Sequence, residues 1–367
     1  MTDQEYMKLA LAQAELARGQ TSPNPLVGCV IVSPQGEIVG KGYHHKAGQP
    51  HAEVNALADA GPRAQGATAY VTLEPCSHYG RTGPCCEALI KAGIKRVIAA
   101  ANDPNPKVAG KGFARLREAG VEVIQGVLEK EALRQNEVFM HWMTTGKSFV
   151  VLKYAMTLDG KIATATGDSK WITGVEARTN AHYLRSIYDG IVVGKNTVLQ
   201  DDPELTCRLV KGKNPTRIIL DSQLSLPTSC KVFTDQAAPT IVVVGEEVSG
   251  DKQKAFAVAT GVRVLAVPTV EGKIAITPLL KSLGKENITS ILVEGGSQVH
   301  GAFLDAGEVN RVYAFLAPKL IGGADSLTPI GGKGHKLIKD GYSLTEVESA
   351  KMGQDILITG VVVKEGV

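Results

Sequence analysis

The feature that most constrains the fold of this chain is a set of potential metal ligands in its first quarter. His51 opens a predicted helix at 51–60, Cys76 follows a predicted strand at 68–73, and Cys85 lies at the start of another predicted helix. One imidazole and two thiolates form a three-ligand zinc set that leaves a fourth position for water. The fold must therefore bring these strand-loop-helix junctions together.

The residues around these ligands predict hydrolysis. Zinc lowers the pKa of a bound water toward about 7, and a carboxylate that is not itself a ligand must then move protons. Glu53, two residues beyond His51, fits that role. His-x-Glu followed by Pro-Cys-x-x-Cys is typical of zinc nucleobase deaminases. Here eight residues separate Cys76 from Cys85, which is too long for that tight turn.

Two other interpretations of the cluster remain open at this point. Cys86 is an alternative ligand to Cys85, and if Cys86 were a fourth ligand the site would close and water activation would be lost. A closed site would make the domain a non-catalytic module that zinc merely stabilises.

The length and the pattern of elements predict two α/β domains. At about 150 residues per domain, 367 residues suggest two. The polar segment TTGKS at 144–148 places the boundary, giving domains 1–146 and 147–367. The first domain alternates through a helix at 5–18, strands at 26–33 and 37–43, a helix at 51–60, a strand at 68–73, a helix at 83–92, a strand at 95–100, a helix at 110–118, a strand at 121–125 and a helix at 129–142.

The second domain also alternates, through the strand-like runs GIVVG, RIILD, TIVVVG, SILVE and RVYAFLA. Its last stretch, 344–363, has no intervening helix, which predicts two antiparallel strands at one edge of the sheet. The run SILVEGGS at 290–297 leads into a predicted helix from Gln298 to Asp305. Backbone N–H groups at that helix start could hold the phosphates of a cofactor, although an ordinary strand-to-helix turn gives the same pattern.

Charge and composition favour a small substrate. The 40 Lys and Arg residues nearly balance the 37 Asp and Glu residues, whereas nucleic-acid binders usually carry a basic excess. Apolar runs are too short to span a bilayer, and the N-terminal stretch lacks the blocks of a signal peptide. We expect a cytoplasmic enzyme with no nucleic-acid or membrane partner, and a homo-oligomer.

The N-terminal part resembles the deaminase domain of the bifunctional riboflavin-biosynthesis deaminase-reductase family. The matching segments are SPNPLVGCV at 22–30, GYH at 42–44, HAE at 51–53, TLEPCSH at 72–78, GRTGPC at 80–85 and DPNPKVAG at 103–110. The delayed second cysteine is that family's own spacing. The resemblance implies zinc on His51, Cys76 and Cys85, proton transfer by Glu53, and packing for Cys86.

The same resemblance implies hydrolytic removal of an amino group from a phosphorylated diaminopyrimidinone. His78, Arg81 and Lys107 are candidates to hold the phosphate, with solvated loop charges as the alternative. Asn24, in a rigid turn between two prolines, could hydrogen-bond the base.

The second part resembles the reductase half of that family, whose fold is similar to dihydrofolate reductase. This resemblance implies NADPH-dependent reduction of the ribosyl group to ribityl. The implied NADPH contacts are Ala155, Trp171, Thr197, Asp201, Gly296, Ser297, Gln298, Val299, His300, Gly301 and Ala302, the last seven forming one turn. The implied substrate contacts are Ser169, Arg185, Leu205, Arg208 and Glu294.

Three points in this second part stay open. Arg185 and Arg208 suit a phosphate because a guanidinium group binds it bidentately. Trp171 either faces the cofactor or anchors a partial core. Lys153 and Asp159 are both possible proton-handling groups. The class of function to set against this one is a nucleic-acid editing deaminase, which would require a basic surface and aromatic stacking platforms.

Overall fold

A computed structural model describes residues 1–79, 83–105 and 108–364 of the chain. Contacts divide the chain into two compact units, Met1–Gly146 and Lys147–Val367. Within the described ranges, no helix combines the length and apolar character needed to cross a bilayer.

The first unit is built around one five-stranded sheet. Its elements are α1 (Asp3–Glu15), β1 (Gly28–Val32), β2 (Ile38–Tyr43), α2 (Ala52–Ala60) with a 3-10 turn at Gly61–Ala64, β3 (Thr68–Leu73), α3 (Cys85–Lys91), β4 (Arg96–Ala101), α4 (Lys111–Glu118), β5 (Glu122–Gln125), α5 (Glu129–Gln135) and α6 (Glu137–Thr145). The strand order is β2-β1-β3-β4-β5. β1 runs antiparallel to β2 and β3, and β3, β4 and β5 are parallel.

Both faces of this sheet are covered by helices. Cys29 and Ile31 of β1 belong to a core cluster with residues of α2, α3 and α4. Val30 and Val32, which point to the opposite face because side chains alternate along a strand, pack with residues of α1, α5 and α6. The arrangement is a three-layer α/β domain of the cytidine-deaminase type, as the sequence predicts.

Two helix boundaries differ from the predicted ones. α1 begins earlier because Thr2 forms a capping box with Glu5: the Thr2 hydroxyl accepts from Glu5 N–H, and the Glu5 carboxylate accepts from Thr2 N–H. The predicted helix at 129–142 is two helices that meet at Asn136. The buried Asn136 amide exchanges two hydrogen bonds of 2.8 Å with the backbone of Leu26, and this long-range pairing leaves no local signal in the sequence.

The second unit is built around a nine-stranded sheet. Its elements are β6 (Phe149–Thr157), α7 (Val175–Ile187), β7 (Gly190–Gly194), α8 (Lys195–Asp201), β8 (Thr216–Leu220), α9 (Lys231–Thr234), β9 (Thr240–Gly245), α10 (Gly250–Thr260), β10 (Arg263–Val267), β11 (Thr269–Val270), β12 (Lys273–Ile274), α11 (Ile276–Lys285), β13 (Ser290–Val293), α12 (Ser297–Asp305), β14 (Arg311–Ala317), a 3-10 turn at Ile338–Asp340, β15 (Tyr342–Met352) and β16 (Asp355–Lys364).

The strand order of the large sheet is β10-β9-β8-β7-β13-β6-β14-β16-β15. β16 is antiparallel to β14 and β15, whereas the other pairings are parallel. The predicted antiparallel pair at one edge is therefore confirmed. Buried residues of α11 and α12 pack on one face, and buried residues of α8, α9 and α10 pack on the other. The carboxyl ends of the central parallel strands lie together, which is where such sheets bind ligands.

Candidate active sites

Three elements of the first unit bring the predicted metal ligands together. His51 is the N-cap of α2, Cys76 follows the carboxyl end of β3, and Cys85 is the first residue of α3. Their ligand atoms all lie within 4.8 Å of one another. His51 Nδ1 is 3.2 Å from Cys85 Sγ and 3.6 Å from Cys76 Sγ. Zinc bonds of about 2.0–2.3 Å in tetrahedral geometry require ligand separations of this size, so the three residues fit a zinc ion.

The surroundings of Cys76 favour its thiolate form. Hydrogen bonding from the Cys85 thiol and from His51 outweighs the effect of burial and lowers the pKa of Cys76 to about 4. The backbone N–H of Cys85 also donates to Cys76 Sγ over 3.4 Å. A thiolate is the form of cysteine that binds a metal.

Glu53 lies in the first turn of α2, close behind the ligand histidine. Its side chain is buried, with 3% of the residue exposed. Burial and the neighbouring Cys76 raise its pKa to about 7. A carboxyl group that titrates near neutral pH can both accept and return a proton.

A cavity of about 440 Å³ opens beside this cluster. Asn24 lines it, as the predicted role requires, and donates from Nδ2 to His44 Nε2 over 3.0 Å. His44 also lines the cavity and bonds through Nδ1 to the Pro50 carbonyl at 3.1 Å. Sequence reasoning treats His44 as a polar residue at a strand end, because only the fold brings that strand end beside the Asn24 turn.

The loops provide further cavity residues. Of the predicted phosphate contacts, His78 lines the cavity, whereas Arg81 and Lys107 lie outside the described residues. Asp103 and Asn105 also line it, and burial raises the pKa of Asp103 to about 6. The motif DPNPKVAG contains both residues, but its spacing gives no sign that they reach the cavity.

Glu74 is a second buried carboxylate that sequence reasoning missed. It accepts hydrogen bonds from the backbone N–H groups of Asp103 (3.4 Å), Gly110 (3.0 Å) and Gly112 (3.0 Å). A side chain on Gly112 would lie 1.9 Å from the Pro75 carbonyl oxygen, so the backbones pack directly here. Glu74 thus joins the strand that leads to Cys76 to the loop that lines the cavity.

Replacing Glu74 by Ala should loosen this loop. Buried N–H groups left without an acceptor cost about 1–3 kcal/mol each, so we expect faster amide exchange in a peptide covering 108–116. Hydrogen-deuterium exchange with mass spectrometry measures this directly. Glu87→Ala, at an exposed pair with Tyr79, is the control, and equal protection in both variants would contradict the role of Glu74.

The second unit contains a cradle of glycines at the carboxyl ends of β7 and β13. Gly194 and Gly296 are the N-caps of α8 and α12, and neither helix has a side-chain cap. A Cβ on Gly194 would lie 2.8 Å from Val299, and a Cβ on Gly295 would lie 2.7 Å from Val193. Two uncapped helix starts held together by glycine fit the phosphates of a dinucleotide.

The segment 296–302 is the start of a helix, not the single turn implied by the resemblance. Gly296 caps the helix, and Ser297 onward is helical. His300 and Gly301 are buried, and His300 bonds through Nδ1 to the Pro329 carbonyl and through Nε2 to the Val293 carbonyl. Their side positions thus face the protein interior, because a helix exposes only part of its surface.

A buried ionic cluster follows β13. Glu294 faces Arg185, with Nε to Oε1 at 2.7 Å and Nη2 to Oε2 at 3.0 Å, and it also faces Lys153 at 3.4 Å. Burial opposes ionisation of Glu294, but the two cations outweigh it and lower its pKa to about 2. The bidentate edge of Arg185 is thus directed at Glu294, whereas Arg208 lies on an exposed loop and suits a phosphate better.

Glu294→Gln should destabilise the second unit by about 3–5 kcal/mol at pH 7, because it leaves two buried cations without their partner. Since the folded pKa is lowered, the stabilisation is present above the unfolded value near 4.5 and is lost as pH falls toward 2. The difference between variant and wild type should therefore shrink across that range.

Urea unfolding followed by the fluorescence of the chain measures this difference. Glu271→Gln removes a solvent-exposed pair with Lys333 and should cost less than about 1 kcal/mol. A pH-independent difference for Glu294→Gln would contradict the ionic origin of the effect.

The other predicted contacts lie around the same strand ends. Trp171 is 63% exposed, which excludes the core-anchor interpretation, and the Arg178 guanidinium lies 4.5 Å from its ring centre. Asp201, in α8, pairs with Lys170 at 3.2 Å. The remaining positions are Ala155 in β6, the half-buried Ser169, Thr197 in α8, and the buried Leu205. Asp159 instead accepts the N–H groups of a neighbouring loop, including Gly322 at 2.7 Å.

Comparison with known proteins agrees with both halves of the chain. Residues 1–101 match the model of the cytidine and deoxycytidylate deaminase zinc-binding region, and residues 148–358 match the model of the RibD C-terminal domain. The riboflavin biosynthesis protein RibD of Actinobacillus pleuropneumoniae is 47% identical over 99% of this chain and 96% of its own length. RibD of Aquifex aeolicus is 47% identical over 97% of both.

Solved structures extend this agreement to the fold. Acinetobacter baumannii RibD superposes with a TM-score of 0.88 at 38% identity, covering 99% of each chain. The Thermotoga maritima diaminohydroxyphosphoribosylaminopyrimidine deaminase/5-amino-6-(5-phosphoribosylamino)uracil reductase gives 0.85 at 37% identity, covering 98% and 99%. The chain therefore belongs to the RibD family of riboflavin biosynthesis, which combines a zinc-dependent deaminase with an NADPH-dependent reductase.

Proposed function

We propose that residues 1–146 deaminate 2,5-diamino-6-(5-phosphoribosylamino)pyrimidin-4-one by hydrolysis, and that residues 147–367 reduce the ribosyl group of the product to ribityl with NADPH. The observation that carries the first assignment is the convergence of His51, Cys76 and Cys85 beside the buried Glu53 in one cavity. The glycine cradle and the cluster around Glu294 support the second assignment.

In the deamination step, His51, Cys76 and Cys85 are the proposed zinc ligands. Bound zinc supplies a Lewis acid that activates water for attack on an amino-bearing ring carbon. Glu53 accepts a proton from that water and delivers protons to the ring nitrogen and the departing amine. Asn24 orients the base, and Glu74 holds the cavity loop in place. Cys86 serves only in packing, within the core cluster beneath α3.

In the reduction step, NADPH supplies the hydride. The uncapped starts of α8 and α12 hold its phosphates, and Trp171 offers an exposed ring. Arg208 binds the phosphate of the ribotide. Lys153, an ammonium group 3.4 Å from Glu294, is better placed than Asp159 to donate a proton, since Asp159 is engaged with loop backbone.

The test of this function is mass analysis of the products formed from the diaminopyrimidinone ribotide. Without NADPH, the expected product is the deaminated ribotide with release of ammonia. With NADPH, the expected product also gains two hydrogens. Recovery of unchanged ribotide under both conditions would refute the proposal.

We also propose a homo-oligomer located in the cytoplasm. The support for self-association is β15, an edge strand of the large sheet that is exposed along most of its length and includes the apolar residue Val347. Long exposed edge strands tend to be paired or covered. Sedimentation velocity should give more than one chain per particle, and Val347→Lys should reduce that number. A wild-type monomer would refute self-association.

A nucleic-acid editing deaminase, the other class considered, is not favoured. The match to RibD proteins covers nearly the whole chain, including the second unit. Acidic and basic residues are nearly balanced, which does not favour binding to a polyphosphate backbone.

A further inference from the structure

His182 is a buried histidine that the proposed mechanism does not use. It lies on α7, 7% exposed, three residues before Arg185. Residues three apart on a helix share one face, so both side chains point to the same side of α7. On that side lies the loop that carries Leu205 and Arg208, two of the predicted substrate contacts.

The two side chains of α7 grip the backbone of this loop at two points. The Arg208 N–H donates to His182 Nδ1 over 2.9 Å. Arg185 Nη1 donates to the Thr206 carbonyl over 3.1 Å. The loop backbone is tightly shaped here, since Leu205 has a positive φ of 53°, and such a conformation persists only where surrounding contacts hold it.

The first of these hydrogen bonds fixes the state of the imidazole. Because a backbone N–H can only donate, Nδ1 must be an unprotonated acceptor, and the ring proton must therefore be on Nε2. A doubly protonated ring would direct one N–H at another. Burial and the nearby Arg185 and Arg208 lower the pKa of His182 to about 4, which keeps the ring neutral at ordinary pH.

We propose that His182 is a positioning residue for the reduction step: it holds the backbone of Arg208 and so keeps the loop at 205–208 in the shape that receives the phosphorylated substrate. This inference rests on the proposed function, because Arg208 is taken as the phosphate contact. Without the anchor, the loop would be ordered only when substrate binds, and that ordering weakens binding. Hydride transfer and NADPH binding involve other groups and should be unaffected.

Three variants test the proposal. His182→Leu keeps an apolar side chain of similar bulk but removes the acceptor. His182→Asn restores an acceptor, because the amide oxygen of Asn takes the place of Nδ1. Glu176→Gln, at an exposed position of the same helix, is the control. Each variant is measured as the full chain for reduction of the deaminated ribotide and for amide exchange in a peptide covering 204–210.

We expect His182→Leu to raise the KM for the ribotide about tenfold, equivalent to about 1.4 kcal/mol, with kcat and the KM for NADPH changed less than twofold. Exchange at 204–210 should accelerate. His182→Asn should restore both readouts to near the wild-type values. A merely structural role predicts instead that kcat and NADPH binding fall together, with no rescue by Asn.

Unchanged KM and exchange in His182→Leu would overturn the proposal, as would a failure of His182→Asn to rescue. A wild-type chain that does not reduce the ribotide would refute the proposed function and the substrate role of the loop together. Exchange at 204–210 would then still decide whether His182 holds the loop.

Discussion

Replacing Glu53 by Gln is expected to abolish ammonia release while the protein keeps its zinc. The side chain is buried and lies outside the group of three ligand atoms, so the nearly isosteric amide should not disturb metal binding. An amide cannot accept and return a proton, and loss of such a group typically lowers a rate by about 10²–10⁴-fold. Ammonia release at saturating ribotide and zinc content by elemental analysis measure the two effects.

The second activity of the same chain provides the control. Supplied with the deaminated ribotide, the Glu53→Gln protein should consume NADPH at the wild-type rate. Glu87→Gln, at an exposed residue of α3, should leave ammonia release intact. Normal deamination by Glu53→Gln would remove Glu53 from the mechanism, and loss of NADPH consumption would show that the two sites are not independent.

The second large effect separates two neighbouring cysteines. Cys85→Ser should lose zinc and deamination together, because Cys85 Sγ lies 3.2 Å from His51 Nδ1 and a three-ligand site without one thiolate binds zinc far more weakly. Cys86→Ser should keep both. Its side chain is buried in the apolar cluster under α3, so the cost should appear as lower stability, about 1–3 kcal/mol for a buried hydroxyl.

Zinc content, ammonia release and thermal denaturation of the two variants distinguish these outcomes. Zinc retained in Cys85→Ser and lost in Cys86→Ser would exchange the two assignments. Zinc lost from both would indicate a four-ligand site, closed to water, and would exclude the hydrolytic mechanism.

Local pattern predicted most of the secondary structure because period and punctuation are encoded over a few residues. The strand at 68–73 has the predicted bounds, and the helix after Gly296 ends at Asp305 as expected. The failures have long-range causes. The break at Asn136 depends on hydrogen bonds to Leu26, 110 positions away in the chain, and no local window contains that information.

Site chemistry divides in the same way. The types and order of His51, Glu53, Cys76 and Cys85 are sufficient to predict a zinc deaminase, because few other chemistries use that combination. The roles of Glu74 and His182 were not predictable, because each acts through backbone groups of a distant loop. A backbone N–H leaves no trace in the identity of its residue.

The sequence by itself determined the ligand set, the general chemistry, the α/β class and the resemblance to one family, because these depend on which residues are present and in what order. Only the tertiary structure decided that the ligand atoms of His51, Cys76 and Cys85 lie within 4.8 Å of one another. It also directed Arg185 to Glu294, leaving Arg208 on the exposed loop. Distances and burial arise from packing, and packing joins residues that the sequence keeps far apart.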